Sequence, residues 1–362
     1  MAAPDNAPVH LVFFGDSLSD SGMNLPHEDK GNNLWARTQG KTGAPIVNPD
    51  VSTGTHPLWT NWLTRRLAPS DTLTPLRVAT AHQLDPAGQS LNYAFAAAET
   101  GNHYLNDLSS EIFPPYVDAI CQAPGKISDT AACVPGVLKQ IQLYLAAVPH
   151  PASDTRFILW AGGNDIFNNV KKTQYLFSKK EVSDISTWLR AQFMPTLFPQ
   201  HTPSPRPEFP VFSDPVANLL IAKNKLIAAG VKPEQIYVIN LPDLSLSPAG
   251  IRLANGNPAI LQTIHLLSIG FNESLTLMLA HNPLSDNNLA DSHVLSIYDF
   301  LNEVMAHPAD FQITNLTGNC VEDNQTPLCT GYVFFNEKHP TAETGKYIAE
   351  WVEKQITDKK SK

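Results

Sequence analysis

Short apolar runs that halt at a turn alternate with amphipathic patterns along most of the chain, and this alternation restricts the fold more than any other feature. Val9 to Phe14 is an apolar run ending at Gly15, and Arg156 to Ala161 is another ending at Gly162-Gly163. Gln235 to Asn240 and His293 to Tyr298 read as further strands. Runs this short and this uniformly apolar suit strands buried on both faces. Between them, Pro57 to Ala68 places Leu58, Trp59, Trp62, Leu63 and Leu67 at helical spacing, and Pro135 to Val148 repeats the pattern with Val137, Leu138, Ile141, Leu145 and Val148. Asp214 and Pro215 read as the cap and first residue of a helix that stops at Gly230. Residues 257–281 carry a long helical pattern, and Pro340 to Ile356 forms a last amphipathic helix. Alternating elements predict a parallel sheet covered by helices on both faces, in an α/β/α sandwich. In such sheets ligands bind beyond the carboxyl ends of the strands. Functional residues are therefore expected just after strands, where Ser17 and Gly162 to Asn164 fall.

The chain of 362 residues is read as a single domain spanning 1–362. The segment Phe167 to Phe212 breaks the alternation and is proline-rich in its second half. A structureless loop of that length is unusual, so 167–212 is expected to be an insertion, part helical and part extended, either covering the site or packing on a sheet edge. No repeats occur. Net charge is −9, and no basic stripe calls for nucleic acid. Lys359-Lys360-Ser361-Lys362 reads as a solvated end. No apolar run approaches the roughly 20 residues of a membrane span, which leaves transient contact with a membrane surface as the only membrane role expected.

The four cysteines fall into two local pairs, Cys121 with Cys133 and Cys320 with Cys329. The intervals are rich in Pro, Gly, Asp and Asn, so each pair can close a surface loop. Metal binding and free thiols are the rival readings, but no C-x-x-C occurs and no His stands at ligand spacing. Two disulfides imply an oxidising compartment. A secreted or periplasmic protein is expected, with its leader removed, since none is legible after Met1-Ala2-Ala3.

A serine hydroxyl becomes a nucleophile only with a base in hydrogen-bond reach and donors for the developing oxyanion. Ser17 sits in Phe14-Gly15-Asp16-Ser17-Leu18-Ser19-Asp20, directly after the first expected strand. Phe13 to Asp20 resembles the first motif block of the GDSL lipolytic family, also called SGNH hydrolases. Leu91-Asn92-Tyr93-Ala94-Phe95-Ala96-Ala97-Ala98 is similar to the second block, Gly162-Gly163-Asn164-Asp165 to the third, and Asn336-Glu337-Lys338-His339-Pro340-Thr341 to the last. Tyr237 to Pro242 resembles the family's strand before a proline turn, and all the blocks stand in family order.

The resemblance implies a flavodoxin-like three-layer sandwich and no metal or cofactor. It makes Ser17 the nucleophile and His339 the base. The oxyanion hole would use the Ser17 N–H, the Ala97 N–H and the Asn164 side-chain amide. Two departures stand out. Ala97 and Ala96 occupy glycine positions, and Ala97 can serve if its φ is negative or mildly strained. Asn336 stands where the triad acid belongs; it can orient His339 but brings no charge and can favour the wrong tautomer. Asn336 is then a replacement introduced into the chain, or it is helped by a carbonyl, anion or water, or a nearby acid such as Glu337 or Asp323 substitutes. The resemblance points to lipid esters, as in lysophospholipases, phospholipases A and glycerophospholipid:cholesterol acyltransferases. The run His307-Pro308-Ala309-Asp310-Phe311 adds to that likeness. The rivals are a short-chain carboxylesterase, a sugar-ester deacetylase and a degenerate hydrolase that only binds lipid or glycan.

Overall fold

The computed structural model describes residues 9–20, 58–71, 73–75, 89–105, 118–121, 133–178, 213–280, 293–323 and 329–358. The central sheet holds β1 (His10–Gly15), β2 (Thr74–Pro75), β3 (Leu91–Asn92), β6 (Thr155–Trp160), β7 (Ile236–Ile239) and β8 (His293–Leu295) in the order β2-β3-β1-β6-β7-β8. Every pairing in it is parallel. Two small ribbons stand apart: β4 (Tyr104–Leu105) with β5 (Val134–Pro135), antiparallel, and β9 (Asn315–Asn319) with β10 (Tyr332–Phe334), parallel.

The helices are α1 (Trp59–Leu67), α2 (Asp118–Cys121), α3 (Val137–Ala147), α4 (Gly163–Ser178), α5 (Pro215–Ala228), α6 (Pro248–Ala254), α7 (Pro258–Ala280), α8 (Ile297–Ala306) and α9 (Ala342–Asp358). Strand alternation sorts them into two layers, because successive side chains of a strand point to opposite faces. Val12, Phe14, Phe157, Leu159, Ile236 and Val238 face one way, against Val137 and Ile141 of α3, Leu219 and Leu226 of α5, and Ile264, Phe271 and Leu275 of α7. Leu11, Phe13, Ile158, Trp160, Tyr237 and Ile239 face the other way, against Trp59 and Leu63 of α1, Ile297 of α8, and Ile348 and Val352 of α9. The result is the three-layer α/β/α arrangement expected from the alternation.

Leaving aside the edge strand β2, the sheet runs β3-β1-β6-β7-β8. In order of appearance this is 2-1-3-4-5, a doubly wound order whose direction reverses between β1 and β6. The switch point opens a crevice at the carboxyl ends of those two strands. Gly15 ends β1 there, and a Cβ on it would lie 2.2 Å from the Trp160 carbonyl of β6, so only glycine fits this close approach.

The first residues of the expected insertion belong to α4, which runs through Ser178, with Phe167 and Val170 buried in the core. Residues 179–212 of the expected insertion lie outside the described residues, as does the Lys359–Lys362 tail. The strand expected over His293–Tyr298 stops at Leu295, because the Ser296 hydroxyl accepts the Asp299 N–H and starts α8 instead. Disulfides join Cys121 to Cys133 and Cys320 to Cys329, with Cα separations of 5.6 and 5.8 Å. Among the described residues no helix is long and apolar enough to cross a membrane.

Candidate active site

Ser17 lies in the turn that follows β1, at the switch point. The turn is built locally: Asp16 Oδ1 accepts the Leu18 N–H at 3.0 Å, and the Asp16 carbonyl accepts the N–H groups of Ser19 and Asp20, both at 3.1 Å. It is then clamped from outside. Gln140 of α3, fully buried, accepts the Gly15 N–H at 2.9 Å and donates to the Gly15 carbonyl at 2.8 Å. Trp59 Nε1 donates to the Leu18 carbonyl at 2.9 Å, and Asn92 donates to the Ser19 carbonyl at 2.6 Å. Asp20 accepts the Ala96 N–H at 2.8 Å. The second sequence block is therefore tied to the first through Asn92 and Asp20.

His339 arrives from the other end of the chain, in the loop between β10 and α9. That loop folds back on itself: the Phe335 N–H reaches the His339 carbonyl at 2.8 Å, and the Thr341 N–H reaches the Val333 carbonyl at 3.0 Å. Thr341 Oγ1 caps α9 by accepting the Thr344 N–H at 3.2 Å. The Cys320–Cys329 disulfide packs against Phe335, immediately before Asn336.

The loop sets His339 Nε2 2.6 Å from Ser17 Oγ, and His339 Nδ1 2.9 Å from Asn336 Oδ1. Serine, imidazole and amide thus form one hydrogen-bonded chain. The direction of each bond follows from chemistry. Asn336 Oδ1 also accepts the backbone N–H groups of Lys338 and His339, both at 3.0 Å. Backbone N–H groups can only donate, so this atom is the amide oxygen. His339 Nδ1 must therefore carry the proton, and Nε2 is left as the acceptor facing the Ser17 hydroxyl. The expectation that Asn336 can select the wrong tautomer is overturned by these two backbone bonds. What Asn336 does not supply is charge.

Charge is indeed disfavoured on the imidazole. Burial, with the neighbouring Lys338 charge adding to it, pushes the His339 pKa down to about 3. The ring rests as a neutral base. Neither alternative acid joins it. Glu337 turns to Arg252, which also pairs with Glu322. Asp323 is not among the hydrogen-bond partners of His339 in the described residues.

Of the expected oxyanion donors, Ser17 and Asn164 line one pocket. Asn164 opens α4 directly after β6, and one N–H of its amide donates to the Ala98 carbonyl at 3.0 Å. The other N–H makes no hydrogen bond among the described residues. Ala97 has φ +67°, so the negative φ considered for it is not what the backbone adopts. It keeps the left-handed conformation of a glycine position, which strains an alanine. Behind both, Asp165 accepts the Thr100 N–H at 3.1 Å and the Thr100 hydroxyl at 2.8 Å, holding the segment after Ala97 against α4. Burial and the nearby Glu99 raise the Asp165 pKa to about 7.

Ser17 and Asn164 line a pocket whose walls are mainly apolar, among them Leu18, Trp160, Phe167, Leu244, Leu246, Met305 and Ile348. Three ionisable groups of the described residues interrupt this lining, Asp16, Asp243 and Lys338, and Asp243 is paired with His265 at 2.7 Å. Asp16 is buried, and desolvation raises its pKa to about 7. Lys338 places its ammonium 5.1 Å from the centroid of the Phe167 ring. Among the described residues no group of three metal-ligating side chains occurs.

Sequence reasoning brought Ser17, His339, Asn336 and Asn164 to this region and missed the groups that hold them. Gln140 carries no signal, being one polar residue in an amphipathic helix. Lys338 was legible only as the neighbour of His339. The fold and these side chains define an α/β protein with a Ser–His–Asn relay at the switch point of its sheet. No family model and no curated protein matches the chain.

Proposed function

We propose that this protein is a serine ester hydrolase acting on lipid esters, of the GDSL or SGNH kind. The observation that carries the reading is the chain from Ser17 Oγ to His339 Nε2, and from His339 Nδ1–H to Asn336 Oδ1, beside a mainly apolar pocket.

In this mechanism Ser17 Oγ attacks the ester carbonyl as its proton passes to His339 Nε2. The oxyanion is held by the Ser17 and Ala97 N–H groups and the remaining amide N–H of Asn164. The imidazolium returns the proton to the leaving alkoxide, and an acyl-serine remains. Water, deprotonated by His339, then releases the acid. An alcohol in its place receives the acyl group. The apolar walls suit an acyl chain, which favours lysophospholipid or phospholipid esters over acetyl esters. The two disulfides fit a secreted or periplasmic site of action.

A short-chain carboxylesterase uses the same relay on smaller acyl groups. The neutral Asn336 keeps a second class in view, a protein that binds lipid or glycan without turnover. A fluorophosphonate probe separates the classes. Labelling on Ser17 that disappears in Ser17→Ala is expected, and a Ser17 that takes no label removes the enzyme reading. Hydrolysis rates across lysophospholipid, phospholipid, cholesterol acceptor and p-nitrophenyl esters then assign the substrate.

A further inference from the structure

Among the described residues Lys338 is the one cation lining the pocket, and the ester-hydrolase reading leaves it unused. Its backbone is fixed by the bond from its N–H to Asn336 Oδ1 at 3.0 Å. Its side chain is half-buried and lines the same pocket as Ser17, Asn164 and Phe167. The ammonium lies over Phe167, whose π-face attracts a cation weakly. Among the described residues no carboxylate lies within ion-pair distance of it; Asp243 lines the same pocket but is paired with His265, and Asp16 from the β1 turn, Glu337 from its own loop and Lys171 from α4 act on it only at longer range. A cation held among apolar walls without a partner is costly, and that cost is recovered when a ligand brings an anion.

We propose that Lys338 is a specificity-determining residue that pairs with a negative charge carried by the ester substrate itself, so that the site prefers monoanionic esters to neutral ones. The proposal rests on the ester-hydrolase reading and names the substrate class of that same site. It also has a consequence for rate. As Ser17 attacks, His339 becomes an imidazolium beside a lysine, with only the neutral Asn336 on its other side. A substrate anion on Lys338 offsets that repulsion at the moment the second positive charge forms. The preference therefore acts on kcat as well as on KM. It fades at high pH, because burial together with the Lys171 charge lowers the Lys338 pKa to about 8, against Asp16 and Glu337, which oppose that fall.

The test uses paired esters differing only in charge. On the acid side, p-nitrophenyl hydrogen glutarate is compared with p-nitrophenyl pentanoate. On the alcohol side, the monoanionic ethyl phosphate diester of 2-hydroxyethyl butyrate is compared with its neutral diethyl triester. The wild-type protein is expected to favour the anion in at least one pair by about ten- to hundredfold in kcat/KM, the range of one charge-assisted hydrogen bond. Which pair responds tells whether the charge sits on the acyl or the alcohol side. Lys338→Met is expected to collapse that ratio to near one, and Lys338→Arg to retain most of it. Reading a ratio cancels any general loss of activity in the variants. In Asn336→Asp the kcat part of the preference shrinks, because the carboxylate already supplies the missing charge. A wild-type ratio near one in both pairs overturns the proposal, as does a preference that survives in Lys338→Met. If the variants do not fold, the wild-type ratios decide alone. Turnover of no ester, with no probe label on Ser17, instead marks failure of the ester-hydrolase reading.

Discussion

Replacing Asn336 by aspartate changes one thing at the relay, its charge. Asn336 Oδ1 already accepts three N–H groups, from His339 Nδ1 at 2.9 Å and from the backbones of Lys338 and His339 at 3.0 Å. A carboxylate oxygen fits the same place with the same donors. An opposite charge in contact raises an imidazole pKa by about 1–3 units, or roughly 1.4–4 kcal/mol in favour of the imidazolium. Where the proton has largely moved to His339 in the transition state, Asn336→Asp should raise kcat by about 10- to 1000-fold, with little change in KM. The reverse change in serine proteases costs about 10⁴ in kcat, partly because the amide there selects the wrong tautomer. Here the tautomer is already correct, so the gain is smaller. The assay is kcat and KM on a p-nitrophenyl ester from pH 3 to 9. With its His339 pKa pushed down to about 3, the wild-type protein should keep its activity well into the acid range. The variant should lose activity at higher pH, since the aspartate raises that pKa and imidazolium cannot accept the Ser17 proton. An unchanged or lowered kcat, or an acid limb that does not move, in a variant whose melting is unaltered, refutes the argument.

Three further outcomes follow from the geometry. Ala97→Gly should raise stability by about 0.5–1 kcal/mol: a left-handed alanine costs roughly 1–2 kcal/mol, from which the extra chain entropy of glycine subtracts about half; denaturant melts measure this, and a loss of stability would contradict the strain at φ +67°. Gln140→Ala orphans the buried Gly15 N–H and leaves a void, so chemical denaturation should show a loss of about 2–4 kcal/mol together with slower fluorophosphonate labelling of Ser17. Asp165, raised to about 7, holds its proton more tightly folded than unfolded, so its contribution to stability falls as pH rises from about 4 to 7. Asp165→Asn should flatten that decline in thermal melts recorded across the range, and an equally steep decline in the variant would show that Asp165 does not titrate there.

The layer architecture was legible because it depends on local periodicity. Apolar runs such as Arg156 to Ala161 cannot be solvated on either face, and helices such as Asp214 to Gly230 announce their own caps. The end of β8 was misread because Ile297 and Tyr298 continue an apolar run, while the capping bond of Ser296 competes with the strand at a level the pattern does not show. The segment from Phe167 reads as an insertion that is partly helical, and Phe167 and Val170 stand in a helix packed against the sheet.

By itself, the sequence determined the alternation of elements, the two cysteine pairs and the spacing that puts Ser17, Asn164 and His339 after strands or before a helix. These follow from side-chain volume, polarity and capping chemistry within a few residues. The tertiary structure alone decided which protons stand where. The two backbone N–H groups that orient the Asn336 amide, the burial that keeps His339 neutral, the Gln140 clamp on Gly15 and the position of the Lys338 ammonium beside Phe167 all depend on groups distant in sequence or on exclusion of water. Hydrogen-bond direction and desolvation are properties of a place, and the place exists only once the chain has closed around it.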